Sequence, residues 1–321
     1  MPLATSSNVV AGSVPGDGPL VLLHGGAWDI PDADVEAHRD GLDHALRRAR
    51  RAVEAGRDAL ATVVEAVAAL EDHPAFDAGR GAVLDRDGLP QLDAGLMDGT
   101  DRQWGAVANV RGLANPIRAA RVLVHAPGQA RLLVGEGAER FAAEHGLPAI
   151  DPQRLIVPRE RERFERLRDH PAFASGALAG RMDVPRGTVG CVVRDAHGRL
   201  AAATSTGGAP LTRSGRVGDS PIPGAGYLAG PEGAASATGW GEAILAIRLC
   251  ADAVSRLPLS PPDSAARASL DWLAEAIQWG PEPARAGVLV VAPDGRAGWA
   301  FSTPRMARAW WRPGEPFGVE V

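Results

Sequence analysis

Hydrophobic positions change their period several times along this chain, and each change marks an element. Leu20-Val21-Leu22-Leu23 is an unbroken apolar run ending at His24-Gly25-Gly26, which predicts a buried strand opening into a backbone-dense turn. Residues 34–55 and 57–71 alternate charged side chains with Ala, Leu and Val at helical spacing, giving two amphipathic helices able to cover one face of a sheet. From Phe76 to Asp98 the pattern turns to glycine-rich turns and short apolar pieces, with strands expected at Ala82-Val83-Leu84 and Gln91-Leu92-Asp93-Ala94. Another strand is expected over Trp104–Ala108. Asn115-Pro116 opens a helix running to about His125, since proline suits a first turn, and Glu136 to His145 forms a further helix.

The stretch from Pro158 to Arg186 has a different character. It opens on the charged helical run Arg159–Arg166 and then loses its period, which predicts an exposed, mobile linker over 158–187. Strands follow at Val189–Arg194 and Leu200–Thr204, with a pair near Gly224–Leu228 and Ala234–Thr238. Helices are expected at 241–256 and about 263–278. A closing hairpin, Val288–Ala292 and Ala297–Phe301, turns on Pro293-Asp294-Gly295-Arg296, where Asp-Gly suits the tight turn of antiparallel strands. Strands grouped with strands, and helices with helices, predict an α+β chain of antiparallel sheets with helical outer layers, not a regular βαβ repeat.

Composition narrows the class. The 321 residues are 45% hydrophobic and 23% charged, enough for a sizeable core. A net charge of -5 offers no basic surface for phosphate backbones, so nucleic acid is not an expected partner. No segment approaches eighteen uninterrupted apolar residues, and Met1 to Pro19 lacks the basic start and apolar run of a signal peptide, so no membrane partner is expected. Residues 1–18 read as a flexible N-terminal arm. Cys191 and Cys250 are too few for a disulfide framework, in keeping with a reducing cytoplasm.

Several familiar chemistries fail on spacing. His24-Gly25-Gly26-Ala27-Trp28 has the look of an esterase oxyanion loop, yet no serine has glycine at both minus two and plus two. Gly218-Asp219-Ser220 has the look of another serine block, but no histidine follows His197. His-Glu-x-x-His is absent, and Gly135-Glu136-Gly137-Ala138 lacks the Lys-Ser/Thr ending of a phosphate loop. A threonine can serve as nucleophile without histidine when a chain break frees its own α-amine, which titrates near 8 and becomes the base. Thr188 meets that need if the Gly187–Thr188 bond is cut.

The motifs Gly187-Thr188-Val189-Gly190, His24-Gly25-Gly26-Ala27, Phe76-Asp77-Ala78-Gly79-Arg80-Gly81, Asn115-Pro116-Ile117, Thr204-Ser205-Thr206-Gly207-Gly208, Gly215 to Pro221 and Thr238-Gly239 occur in one order over nearly the whole chain. In that order they resemble the plant-type L-asparaginase and isoaspartyl peptidase family of N-terminal nucleophile hydrolases. The resemblance implies a four-layer αββα sandwich, made as a precursor that cleaves itself into an α subunit, 19–187, and a β subunit, 188–321, forming one domain. It implies that Thr188 attacks first the Gly187 carbonyl and then the substrate, with Thr206 orienting its hydroxyl. Thr238 and the Gly239 N–H would meet the oxyanion, each donor worth roughly 3 kcal/mol. Arg216 and Asp219 would hold the α-carboxylate and α-ammonium of an aspartyl group, with the Gly239 and Gly241 backbone beside them.

The implied activity is hydrolysis of β-aspartyl dipeptides and of the L-asparagine side-chain amide, by a homodimer of αβ units. No organic cofactor is implied, but a structural sodium ion is, bound by the carbonyls of Leu70, Glu71, His73, Phe76, Ala78 and Arg80. Two alternatives stand beside this: a glycosylasparaginase-like amidase, and a silent, uncleaved binding protein on the same fold. The chain departs from the family at Asp77, where asparagine is common, and at Trp28 and Trp240, where small residues are common. Asp77 close to Thr188 is expected to raise the amine pKa and alter cleavage. Trp240 is a candidate to narrow the pocket or wall the leaving group, and equally a candidate for the core or a dimer contact.

Overall fold

The alternating and continuous apolar runs become two sheets in a computed structural model that describes residues 8–128, 130–169, 187–279 and 283–321. In chain order the elements are β1 (Val10–Val14), β2 (Leu20–Trp28), α1 (Val35–Glu54), α2 (Ala59–Asp72), β3 (Leu92–Asp98), β4 (Trp104–Val110), α3 (Pro116–Val124), β5 (Leu132–Val134), α4 (Gly135–Glu144) and α5 (Pro158–Arg168). Then come β6 (Val189–Arg194), β7 (Leu200–Thr206), β8 (Tyr227–Gly230), β9 (Gly233–Gly239), α6 (Gly241–Ile247), α7 (Leu249–Ser255), α8 (Pro262–Ala276), β10 (Ala286–Val291), β11 (Ala297–Phe301), β12 (Arg305–Trp311) and β13 (Gly318–Glu320). One sheet has the order β13-β12-β2-β6-β7-β3-β4-β5 and the other β1-β11-β10-β9-β8. Among the described pairings of the named strands only β4 with β5 is parallel.

Side-chain parity builds the layers. Along β6, Val189, Cys191 and Val193 face the helices, packing with Leu42 and Leu46 of α1 and Val63 and Val67 of α2. Val192 faces the second sheet and packs with Leu22, Ala202, Tyr227 and Leu289. Behind that sheet, Val254 of α7 and Leu270 and Leu273 of α8 pack on Val288 and Val290. The result is the αββα sandwich that the resemblance implies. Because β6 and β7 lie between β2 and β3, the segments on either side of Gly187 share one sheet.

Helix positions agree with the apolar period. α1 buries Leu42, Ala45, Leu46 and Ala49 and carries exposed pairs Arg47–Asp43 and Arg50–Glu54 on its other side. Asp58 caps α2 by accepting the Ala61 N–H at 2.7 Å. The expected single helix over 241–256 is two, broken at Arg248, whose φ is +55°. The N–H groups of Cys250 and Ala251 go to the carbonyls of Ala225 and Gly224, so tertiary bonds redirect the chain.

Four further expectations need correction. Residues 1–18 are not all a loose arm: β1 pairs with β11 at the edge of the five-stranded sheet, from Val10 opposite Phe301 to Val14 opposite Ala297. Ala82-Val83-Leu84 makes only an isolated bridge, Leu84 with Pro90. His24-Gly25-Gly26 is not a turn after β2 but lies within it, opposite a register shift between Met306 and Arg308. The charged run expected in a mobile linker is helix α5 over Pro158–Arg168. Glu160 is buried and paired with Arg159 and Arg163 of the same helix, and Arg159 docks the helix by donating to the Pro74 carbonyl at 3.1 Å. Residues 170–186, where the rest of that linker was expected, lie outside the described residues.

Candidate active site

Register and parity bring the predicted threonines together. Val189 pairs with Ser205 and Gly190 with Thr204, so continuing the ladder by one step sets Thr188 opposite Thr206. Both share the inter-sheet side, while Ser205 points the other way, to Glu71 of α2 at 2.7 Å. The Thr188 hydroxyl donates to the Thr206 hydroxyl at 3.2 Å, and Thr206 also accepts the Gly208 N–H at 3.0 Å. On the facing sheet, Ser236 and Thr238 of β9 have the inward parity of Ala234.

Both sides of the Gly187–Thr188 bond are held. The Gly187 N–H donates to Asp77 Oδ2 at 3.3 Å, and Asp77 Oδ1 accepts the Val83 N–H at 2.9 Å. Asp77 therefore acts as acceptor at both oxygens. It grips Gly187 rather than the Thr188 side chain in the described contacts. Burial pushes its carboxyl up to about 7, against the hydrogen bond from Val83 and with the help of the nearby Glu160 charge. On the other side, His24 Nδ1 meets the Thr188 carbonyl at 3.1 Å. A carbonyl only accepts, so the proton sits on Nδ1, and Nε2 accepts from the Ser236 hydroxyl at 2.8 Å. Burial takes His24 down to about 3, so it stays neutral. Gly26, at φ +104°, leaves space that a side chain would take from Gly187: an added Cβ would lie 2.8 Å from Gly187 Cα.

Thr188 and Thr206 open into a cavity of about 290 Å³ whose lining includes Arg216, Asp219, Gly239, Trp240, Gly241 and Trp279. The loop carrying Arg216 is pinned from β3 and the residue before it. Gln91 donates to the Arg216 carbonyl at 2.6 Å and accepts the Gly215 N–H at 2.8 Å, while Asp93 accepts the Gly218 N–H at 3.1 Å. The guanidinium is gripped by Glu242 rather than paired with Asp219: Nε and Nη2 reach its two oxygens at 3.0 and 3.1 Å. Burial works against the Arg216 charge, but the Glu242 pair outweighs it and the pKa is raised. Asp219 is pushed up to about 7 by burial, opposed by Arg216. Asp219 Oδ2 and Thr238 Oγ1 are buried without a hydrogen-bond partner among the described residues. Such atoms are costly to bury unless something else meets them; Asp219 lines the cavity, whereas Thr238 is fully buried and is not among its lining residues.

The loop after α2 offers backbone oxygens. Gly81, at φ +106°, stands where an added Cβ would lie 2.7 Å from the carbonyls of both Pro74 and Phe76. The Phe76 oxygen converges there with that of Pro74, which is not among the six expected ligands and accepts from Arg159 Nη2 at 3.1 Å. The carbonyls of Leu70, Glu71 and His73 also accept backbone N–H groups. Buried Glu71 is raised to about 8, chiefly by burial. Trp28 is not at the cavity: it is buried beside His38, ring centroids 6.1 Å apart. Sequence reasoning did not assign His24, Ser236, Glu242 and Trp279 to these contacts. The only signal for His24 was its glycine-rich neighbourhood, and Trp279 offered none.

A family model described as asparaginase matches residues 17–316. The chain belongs to this family. It is 37% identical to an isoaspartyl peptidase/L-asparaginase of Danio rerio over 298 residues, covering 91% of each chain. An isoaspartyl peptidase of Salmonella typhimurium is 36% identical over 302 residues, covering 91% of this chain and 94% of its own. An isoaspartyl peptidase/L-asparaginase of Rattus norvegicus is 39% identical over 257 residues, covering 79% and 76%. Among the described residues of this asparaginase-family chain, no helix is long and apolar enough to cross a membrane.

Proposed function

We propose that this chain is a self-cleaving threonine hydrolase acting on β-aspartyl dipeptides and the side-chain amide of L-asparagine. The observation that carries the reading is the Thr188 hydroxyl on Thr206, beside a Gly187 gripped by Asp77, in a cavity shared with Arg216 and Asp219. In the precursor, Thr188 Oγ1 attacks the Gly187 carbonyl carbon. The C–N bond breaks, the nitrogen takes the hydroxyl proton, and an ester joins Gly187 to Thr188. Water then hydrolyses that ester, leaving a Gly187 carboxylate and a free Thr188 amine and hydroxyl. His24 and Asp77 keep both flanks in place while this happens.

In the mature site the α-amine takes the Thr188 hydroxyl proton as oxygen attacks the substrate's side-chain carbonyl. Thr238 Oγ1, which has no described partner, and the Gly239 N–H receive the oxyanion. Arg216 binds the α-carboxylate and Asp219 Oδ2 the α-ammonium. Because Glu242 holds the Nε–Nη2 edge, the Nη1 edge of the guanidinium is the one left for substrate. The amine departs with the proton from the threonine ammonium, and water frees the aspartyl group. The carbonyls of Leu70, Glu71, His73, Phe76, Ala78 and Arg80 would hold a sodium ion, which would brace the loop carrying Asp77. In the same reading the mature protein is a cytoplasmic homodimer of cleaved chains, supported by the motif resemblance and by Cys191 and Cys250 as free, buried thiols.

Intact-mass spectrometry after incubation at neutral pH tests the cleavage, and turnover of β-Asp-Leu and asparagine tests the substrate. Two fragments split between Gly187 and Thr188 are expected, with both absent in Thr188→Ala. Full hydrolysis by Thr188→Ala would sink the mechanism.

A further inference from the structure

The cavity has two unlike linings, a charged one at Arg216 and Asp219 and an aromatic one at Trp240 and Trp279. Trp240 is anchored: its backbone N–H donates to the Arg285 carbonyl at 3.1 Å, and its ring packs on the core behind the five-stranded sheet. Trp279 follows the end of α8 and stands edge-on to Trp240, with centroids 5.8 Å apart and planes at 89°. Yet Trp279 is 60% exposed. An indole held at a cavity rim by an aromatic partner, with most of its surface still in water, is apolar area already arranged for a ligand.

What that ligand is follows from the functional reading above, on which this step rests. With the aspartyl head on Arg216 and Asp219 and its side-chain carbonyl at Thr188, the leaving amine must occupy the remaining lining, where the two indoles are the largest side chains. Ammonia leaving from asparagine has no surface to bury there. The side chain of a leaving amino acid does, and a cavity of about 290 Å³, at the lower end of small-ligand pockets, suits a dipeptide. We propose that Trp240 and Trp279 form the leaving-group subsite and select β-aspartyl dipeptides whose leaving residue carries an aromatic or branched aliphatic side chain.

The test is kcat/KM of the self-cleaved enzyme for β-Asp-Phe, β-Asp-Leu, β-Asp-Gly, N-acetylglucosaminyl-asparagine and asparagine. The phenylalanine and leucine substrates should exceed the glycine one by about tenfold or more, mainly through KM. Trp279→Ala should bring that ratio near one and Trp279→Phe should retain it. Trp272→Ala, on α8 and outside the cavity lining, should leave it unchanged. Equal rates for all the dipeptides would overturn the subsite while leaving the hydrolase reading intact. Preference for the glycosylated asparagine would overturn it too, since the aromatic wall would then serve a sugar. A Trp279→Ala variant that loses all substrates equally and changes mass by light scattering would assign the ring to a contact between copies. A fully cleaved chain that turns over none of the five would refute the hydrolase reading and this subsite together.

Discussion

Replacing Asp77 by asparagine should stabilise the precursor in base and destabilise it in acid. A pKa unit is worth about 1.4 kcal/mol, so a carboxyl moved from its ordinary value near 4 to about 7 costs about 4 kcal/mol more to ionise in the folded chain than in the unfolded one. Because the folded pKa is raised, the contribution is fully present below about pH 4, declines as pH rises, and is gone above about 7. Asparagine carries no such penalty. Its single carbonyl oxygen, however, cannot accept from both Val83 and Gly187, and the NH₂ group faces the other N–H. An unmet buried donor costs about 1–3 kcal/mol. The difference gives Asp77→Asn about 1–3 kcal/mol more stability than Asp77 at pH 8.5, and about that much less at pH 4.

The comparison belongs in a Thr188→Ala background, where both proteins stay single chains. At ~2 °C per kcal/mol for a chain of this size, the melting temperatures should differ by about 2–6 °C at each extreme, with opposite sign. Glu71 and Asp219, also raised by burial, titrate in both proteins and cancel in the difference. A melting difference that stays constant from pH 4 to 8.5 would show that Asp77 is not held as described.

Gly26→Ala should slow self-cleavage at least about tenfold, because its Cβ would press on Gly187 and the backbone there is left-handed, which together cost on the order of 1–3 kcal/mol; intact mass against time reads it. His24→Ala frees the Thr188 carbonyl and should slow cleavage about tenfold, the worth of one hydrogen bond. With His24 at about 3, the wild-type cleavage rate should show no inflection from this group near pH 6.5, while stability attributable to His24 is lost as pH falls from about 6.5 toward 3. Arg216→Lys replaces a planar fork by a point charge and should raise KM for β-aspartyl substrates about tenfold or more, while cleavage at Gly187–Thr188 continues; steady-state kinetics beside intact mass separates the two.

The local pieces follow from the order of residues alone. The apolar period located α1, α2, α3 and α8 to within a few residues, and alternation along β6 and β7 settled which side chains share a face, because helix and strand periods are properties of the backbone. Ordered motifs also marked Thr188, Thr206, Arg216 and Asp219. What alternation left open is which residues meet. Thr188 faces Thr206 because β6 and β7 pair in one register out of several that parity allows, and a packed inter-sheet core holds that register. β1 and β12 have weak patterns of their own and form because partner strands supply their hydrogen bonds. His24 is neutral because the packing of the two sheets buries it, and the facing sheet brings Ser236 to its second nitrogen. Glu242 grips Arg216 from 26 residues away, and Trp279 reaches Trp240 from beyond three helices. Contacts between distant loops depend on how layers pack against each other, and no local period records that.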